Sequence, residues 1–184
     1  MTRRYVITAN LLAVSVVCGI VLVAWLYFSV RSHAEVRIDS RVLYPVSSVV
    51  DGDTFKVDIG QSNPDMSDNI ITVRVLGINT PETVDPRRPA QCYGPEASHE
   101  AKELLEGHSV KLVFNPDREM KDKYGRYLAY VYRDDGLFYN ESMIQDGYAK
   151  EYTVGTAYSL QAQFRALQKE AKAAKRGLWA ACAK

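Results

Sequence analysis

Val50-Asp51-Gly52-Asp53-Thr54-Phe55 is followed, after about two strand lengths, by Val73-Arg74-Val75-Leu76-Gly77-Ile78-Asn79-Thr80-Pro81-Glu82. The first segment reads as a strand ending in carboxylates, which returns through the alternating apolar residues Phe55, Val57 and Ile59. A polar loop over residues 61–69, with Asn63-Pro64, Asp65 and Asp68, leads into a further strand that ends in Asn79-Thr80-Pro81-Glu82. Strand ends are where a rigid scaffold presents chemistry. Asp51, Asp53, Asn79, the Thr80 carbonyl and Glu82 offer hard oxygens, the donors that Ca²⁺ and Mg²⁺ take, and Arg74 stands on the strand leading into the second cluster. A cation beside an arginine suits a phosphate. Either half alone has an ordinary reading, Asp-Gly-Asp as a turn and Thr-Pro-Glu as the start of a loop or helix. It is their combination that sets them apart.

A third segment, Asp122-Lys123-Tyr124-Gly125-Arg126, adds another arginine at a turn that opens the β-rich run Tyr127-Leu128-Ala129-Tyr130-Val131-Tyr132. Together with Tyr93-Gly94-Pro95-Glu96-Ala97-Ser98, Asn140-Glu141 and Gly177-Leu178-Trp179, these segments closely resemble the staphylococcal nuclease (thermonuclease) family over residues 44–179. The resemblance implies an α+β, mainly β fold: an OB-fold five-stranded β-barrel with three helices. It also implies Ca²⁺-dependent hydrolysis of DNA and RNA phosphodiesters to 3′-phosphate products, single strands favoured; Mg²⁺ or Mn²⁺ would suit the same donors.

By the same resemblance, Asp53, Asn79 and the Thr80 carbonyl hold the metal, and Asp51 orders its surroundings. Glu82 aligns or deprotonates the attacking water. Arg74 and Arg126 bridge the phosphate oxygens, Lys123 and Tyr124 touch a terminal phosphate, and Tyr152 replaces one of two substrate-stacking tyrosines, with Tyr158 a candidate for the other. Each role has a structural rival. Arg74 could pair with Asp51 or Asp53, Glu82 could cap a turn, and Arg126 could pair with Glu141 or Asp122. Asn79 departs from the aspartate of the best-known members, and loss of one ligand charge weakens divalent binding without removing the oxygen donor. The alternative function is therefore a non-catalytic OB-fold module that binds nucleic acid or protein through a weakened metal site.

Outside this region the composition shifts. Residues 6–30 carry no charge, and residues 11–30 are apolar except for Ser15, Gly19 and Ser29, enough to span a bilayer as one N-terminal transmembrane helix. Arg3 and Arg4 before it place the N-terminus in the cytoplasm and export the C-terminal domain, although Arg31 and Arg37 soften the bias. The expected organisation is a cytoplasmic stub and signal-anchor over residues 1–34, a tether over 35–43 and the nuclease-like domain over 44–184. Ser32-His33-Ala34 also fits a signal cleavage site, which would make the protein secreted, but the apolar run exceeds a usual signal core. Cys18 reads as one more apolar side chain of that run.

The chain has 23 Lys and Arg against 22 Asp and Glu; setting aside Arg3 and Arg4 leaves 21 against 22, a formal −1 for the exported part. This balance argues against affinity driven by overall basicity, so any attraction for phosphates must be local; Arg87, Arg88, Lys121, Lys123, Arg126 and Lys150 could form such a patch, with a solvated surface charge as the rival reading of each. Strands are expected over residues 42–50, at Val110, Leu112 and Phe114, and at Leu128, Tyr130 and Tyr132. Helices are expected over residues 95–106, 140–146 and 160–175, the last carrying a core stripe of Leu160, Phe164, Leu167, Ala171 and Ala174. Asn140-Glu141-Ser142 fits a glycosylation sequon, yet reads better as a helix start. Cys92 and Cys182 form an even pair in an exported domain, for which a disulfide or two free thiols are the alternatives.

Overall fold

The computed structural model describes residues 18–23, 36–60, 62, 69–83 and 89–183. The chain divides into two units, Met1–Val36 and Arg37–Lys184. In the first, residues 18–23 are helical and exposed. No helix among the described residues is long and apolar enough to cross a membrane, and the anchor expected over residues 11–30 lies mostly outside them.

The second unit is built on a closed barrel. Its strands are β1 (Tyr44–Asp51), β2 (Thr54–Asp58), β3 (Ile70–Val75), β5 (Ser109–Val113) and β6 (Tyr127–Arg133), joined in the order β1-β2-β3-β6-β5. β1 begins at Tyr44 rather than at Val42. It pairs with β2 along its length and with β5 at Tyr44 and Pro45, and register shifts between Val46 and Ser48 and between Val49 and Asp51 let one strand serve both neighbours. The parallel pairing of β3 with β6 closes the ring. Two short strands, β4 (Ile78–Asn79) and β7 (Lys150–Glu151), pair separately from the barrel.

Helices α1 (Gly94–Leu105), α2 (Tyr139–Gln145) and α3 (Gln161–Ala173) match the three expected, and a further short helix, α4 (Leu178–Ala181), comes after them. Ala97, Ala101 and Leu105 of α1 are buried, as the apolar spacing requires. On α3 only Phe164 and Ala171 are fully buried; Leu160 is half-buried and Ala174 exposed, so the core stripe is shorter than the sequence pattern.

On β6 the face assignment needs correction. Tyr127, Ala129 and Val131 are buried, and Leu112 sits opposite Val131 across the β5–β6 pair. Tyr130 and Tyr132 point the other way into an aromatic cluster with Phe138 and Phe164: Tyr132 stacks on Phe138 at 4.4 Å and Tyr130 meets Phe164 edge-on at 6.3 Å. Both faces of β6 are therefore covered, and a strand covered on both faces loses the alternation from which its inner face could be read.

Asn140 lies at the first turn of α2 and is fully buried. Its Oδ1 accepts the Val131 N–H at 2.9 Å and its Nδ2 donates to the Leu76 carbonyl at 2.8 Å. With both ends of the amide committed inside the fold, the sequon is not a glycan site but a brace between β6 and the turn after β3.

Candidate active site

The Asp51-Gly52-Asp53 turn joins β1 to β2 and is buried. Tyr139 supports it from α2, donating its hydroxyl to the Gly52 carbonyl at 2.7 Å. Burial, with Asp53 and Asp51 nearby, raises the Tyr139 pKa well above the usual tyrosine value, so the hydroxyl stays a donor. A Cβ on Gly52 would lie 2.6 Å from Thr80 Cγ2, so only glycine lets the turn approach Thr80 this closely. Asp53 makes the connection: its Oδ2 accepts the Thr80 N–H at 2.9 Å, and its Oδ1 accepts the Thr54 hydroxyl at 3.0 Å. Two segments far apart in sequence thus become one cluster.

Arg74, on β3, is 8% exposed. Its Nη1 donates to the Val75 and Ile78 carbonyls, each at 2.8 Å, while Nη2 donates to Asn79 Oδ1 at 3.0 Å and pairs with Asp53 Oδ2 at 3.1 Å. Of the five N–H donors of a guanidinium, only Nε–H is left uncommitted by these contacts. The rival expected for Arg74, pairing with Asp53, is thus realised inside the site itself. Asn79 Nδ2 in turn donates to the Thr80 carbonyl at 3.1 Å. Each of these carbonyl oxygens keeps a second lone pair for another partner.

Asp51 Oδ1 accepts the Asp53 N–H at 3.1 Å. Its pKa is pushed up to about 6, first by burial and then by the charges of Asp53 and Glu82, against the Asp53 N–H that favours ionisation. Among the described residues no group of three or more His, Cys, Asp or Glu could hold a metal. The residues expected to hold a metal, Asp53 with the Asn79 and Thr80 carbonyls, are all hard oxygens that would fit Ca²⁺ but carry little charge, and Asp51 lies beside them.

The raised pKa is expected to make the stability of the protein depend on pH. Because the folded-state pKa of Asp51 lies above the ordinary 3.8, the fold binds this proton more tightly than the unfolded chain, and metal-free stability should decline as pH rises from about 4 to about 6. In EDTA, Asp51→Asn is expected to remove that decline, and with Ca²⁺ present the apparent affinity should rise through the same window because binding releases the proton. Melting curves of both proteins across pH 4–7, with and without Ca²⁺, measure this; parallel curves would assign the proton elsewhere.

Glu82 lies beyond β4, and its carboxylate Oε1 accepts the Thr83 N–H at 2.9 Å, the local capping role that the sequence left open. Its main chain is held by Gln91, a residue with no signal in the sequence. Arg126 projects from the turn before β6, and its Nε and Nη2 both contact Asp122 Oδ2, at 2.8 and 2.7 Å. The Arg126–Asp122 pair holds the guanidinium in place and draws the Asp122 carboxyl below the ordinary carboxylate range, against the opposing effect of burial. Lys123 and Arg126 lie over the Tyr124 ring, 5.0 and 5.4 Å from its centre, and the ring itself is 72% exposed.

All of the expected metal and catalytic residues, Asp51, Asp53, Asn79, Thr80, Glu82, Arg74 and Arg126, line one cleft of about 990 Å³, and Lys123, Tyr124 and Tyr152 line it too. Arg118 also borders it, donating to the carbonyls of Val154 and Thr156 and so tying two lips of the cleft together. Tyr158 does not serve as a substrate contact. It is buried, its hydroxyl donating to the Gly77 carbonyl at 3.1 Å and contacting Glu151 at 3.0 Å. Lys150 lies against Trp179 instead of lining the cleft, whereas Lys121 does line it, and Arg87 and Arg88 fall outside the described residues. Cys92 and Cys182 are joined by a disulfide with Cα atoms 6.0 Å apart.

A family model described as staphylococcal nuclease homologue matches residues 72–181, more than half of the chain. The thermonuclease of Staphylococcus intermedius is 39% identical over 151 residues, covering 81% of each chain. The thermonuclease of Staphylococcus hyicus is 37% identical over 136 residues, 74% of this chain and 75% of that one. Endonuclease YncB of Bacillus subtilis is 40% identical over 133 residues, 71% of this chain and 58% of its own. A closed five-stranded barrel with this cleft at its strand ends, and identity of this extent, lead to one conclusion: the chain belongs to the staphylococcal nuclease family.

Proposed function

We propose that this nuclease hydrolyses phosphodiester bonds of DNA and RNA in a Ca²⁺-dependent reaction that leaves 3′-phosphates, with single strands as the favoured substrate. The reading is carried by the cleft that brings Asp51, Asp53 and Glu82 together with Arg74 and Arg126. A phosphodiester anion repels an incoming hydroxide, so its hydrolysis needs neutralised charge and a positioned water. Asp53 and the Asn79 and Thr80 carbonyls would hold Ca²⁺, with Asp51 ordering their surroundings, and the ion when bound supplies Lewis-acid neutralisation of the phosphate. Glu82 takes the proton of the attacking water. Arg126 donates to the phosphate oxygens with the guanidinium protons that Asp122 leaves over, and Arg74 adds fixed positive charge beneath them through its Nε edge. Tyr152, 48% exposed, offers a ring face on which an unpaired base stacks, which favours single strands, and Lys123 and Tyr124 would touch a terminal phosphate.

We place the domain outside the cytoplasm, tethered through residues 11–30. Arg3 and Arg4 before the apolar run support that orientation, and a disulfide suits an oxidising compartment.

The test is cleavage of matched single- and double-stranded DNA and RNA by the full-length chain at graded Ca²⁺, with EDTA as control and product ends mapped. Loss of cleavage in EDTA and 3′-phosphate ends are expected. Asn79→Asp adds a carboxylate to the ligand set and should lower the Ca²⁺ requirement by about tenfold. Absence of cleavage at any Ca²⁺, Mg²⁺ or Mn²⁺ concentration would overturn the catalytic reading, and cleavage regained by Asn79→Asp would then move the native protein to the binding class.

A further inference from the structure

We propose that Gln91 is a positioning residue for Glu82, and that the disulfide at the next residue, Cys92, keeps it in register for that task. The inference rests on the reading of Glu82 as the group that takes the proton of the attacking water. Glu82 lies beyond the end of β4, on a stretch without regular structure, so no ladder of hydrogen bonds sets its backbone. Gln91 supplies the missing hold twice. The Glu82 N–H donates to Gln91 Oε1 at 3.1 Å, and the Gln91 N–H donates to the Glu82 carbonyl at 2.9 Å. The two residues are nine apart in sequence, and this reciprocal pair ties them to each other across that separation. One oxygen of the Glu82 carboxylate, Oε1, accepts the adjacent Thr83 N–H, which ties the carboxylate to its own main chain. What holds that main chain therefore helps to aim the carboxylate.

The hold is anchored from two further directions. The Gln91 carbonyl accepts the Gly94 N–H at 2.9 Å, tying it to the first residue of α1. Gly94 backs onto the same segment so closely that a Cβ there would lie 2.7 Å from Thr83 Cγ2 and 3.2 Å from the Glu82 carbonyl. Cys92 is bonded to Cys182 at the end of α4, so the C-terminal helix fixes the residue next to Gln91. Cys92 is itself exposed, and the disulfide gives this surface segment a covalent attachment that burial does not provide. Gln91 also borders the cleft, beside the carboxylate it aims.

Displacing a catalytic group by about 1 Å can cost about a hundredfold in rate. The full-length chain, with single-stranded DNA and saturating Ca²⁺, is compared as wild type, Gln91→Ala, Gln91→Glu, Glu82→Gln, Cys92→Ser/Cys182→Ser and the Gln91→Ala/Glu82→Gln double variant. Gln91→Ala should lower kcat by about ten- to a hundredfold, with KM changed by less than about twofold and the melting temperature by only a few degrees. Gln91→Glu keeps the oxygen acceptor and should restore most of the rate. The decisive arm is the double variant. Where Glu82 is already Gln, Gln91→Ala should cost less than about twofold, because the two residues act as one unit. Cys92→Ser/Cys182→Ser, assayed well below its melting temperature, should also lower kcat rather than raise KM.

A wild-type kcat in Gln91→Ala would overturn the proposal, and so would an equal loss on both backgrounds, which marks a residue that acts apart from Glu82. Wild-type activity in Glu82→Gln is a separate outcome that sinks the parent reading of Glu82 itself.

Discussion

Arg74→Ala is expected to unfold the protein more readily and to silence it, whereas Arg126→Ala silences it alone. Arg74 is buried with Asp53, and its guanidinium also satisfies the Val75 and Ile78 carbonyls and Asn79. Truncation leaves the Asp53 carboxylate without its cation inside the fold, a change that typically costs about 3–5 kcal/mol. Arg126 pairs with Asp122 near the surface, with side chains 31% and 17% exposed, and removal of that pair should cost about 1 kcal/mol or less. For activity the ordering reverses in origin. Arg126 keeps donors for the substrate, and loss of an arginine aimed at a phosphoryl transition state typically costs about a thousandfold or more. Arg126→Lys should recover little, since an ammonium cannot reproduce the planar fork. Urea denaturation and kcat/KM for the three variants check this. If Arg74→Ala keeps wild-type stability, the buried pair does not hold the site together; if Arg126→Ala keeps wild-type activity, the cleft is not where the phosphate reacts.

Removal of the disulfide has the next largest effect. Cys92 and Cys182 are 90 residues apart, so the bridge closes most of the domain into one loop. Loop-closure entropy of that length corresponds to about 3–5 kcal/mol, and for a domain of this size the melting temperature should fall by roughly 10 °C or more. Noncovalent contacts at the same end moderate the loss. The Leu178 N–H donates to the Gly147 carbonyl at 2.9 Å, and the Trp179 ring lies under Lys172 and Lys150, with ammonium groups 4.5 and 5.6 Å from its centre. Calorimetry of Cys92→Ser/Cys182→Ser against the oxidised wild type measures the balance. A drop of only a degree or two would mean that these contacts suffice and that the bridge leaves the unfolded chain little more ordered than before.

Much of the barrel was readable because its strands alternate cleanly. Phe55, Val57 and Ile59 mark the buried face of β2 and its continuation, and Val110 and Leu112 that of β5. β6 resisted that reading, since the aromatic cluster of Phe138 and Phe164 covers the face opposite the barrel interior. The members of the site were readable by residue type and by family resemblance. Gln91 was not, because a glutamine in a loop has no periodicity to betray it and acquires its role only by meeting Glu82. Tyr158 was misplaced for the converse reason: an aromatic a few residues from Tyr152 looks like a second stacking surface until its hydroxyl is found bonded to Gly77 inside the fold.

The sequence by itself determined the family, the barrel with its helices, and which residues to look for at the cleft, because these depend on residue type and local spacing. Only the tertiary structure decided the state of those side chains. It placed Arg74 between Asp53 and Asn79 with most of its donors committed, and it put Asp51 where burial and neighbouring carboxylates raise its pKa. It also joined Gln91 to Glu82 and Cys182 to Cys92, pairs that sequence order keeps apart. The physical reason is that hydrogen-bond commitment, desolvation and backbone restraint are set by atoms brought together from distant parts of the chain.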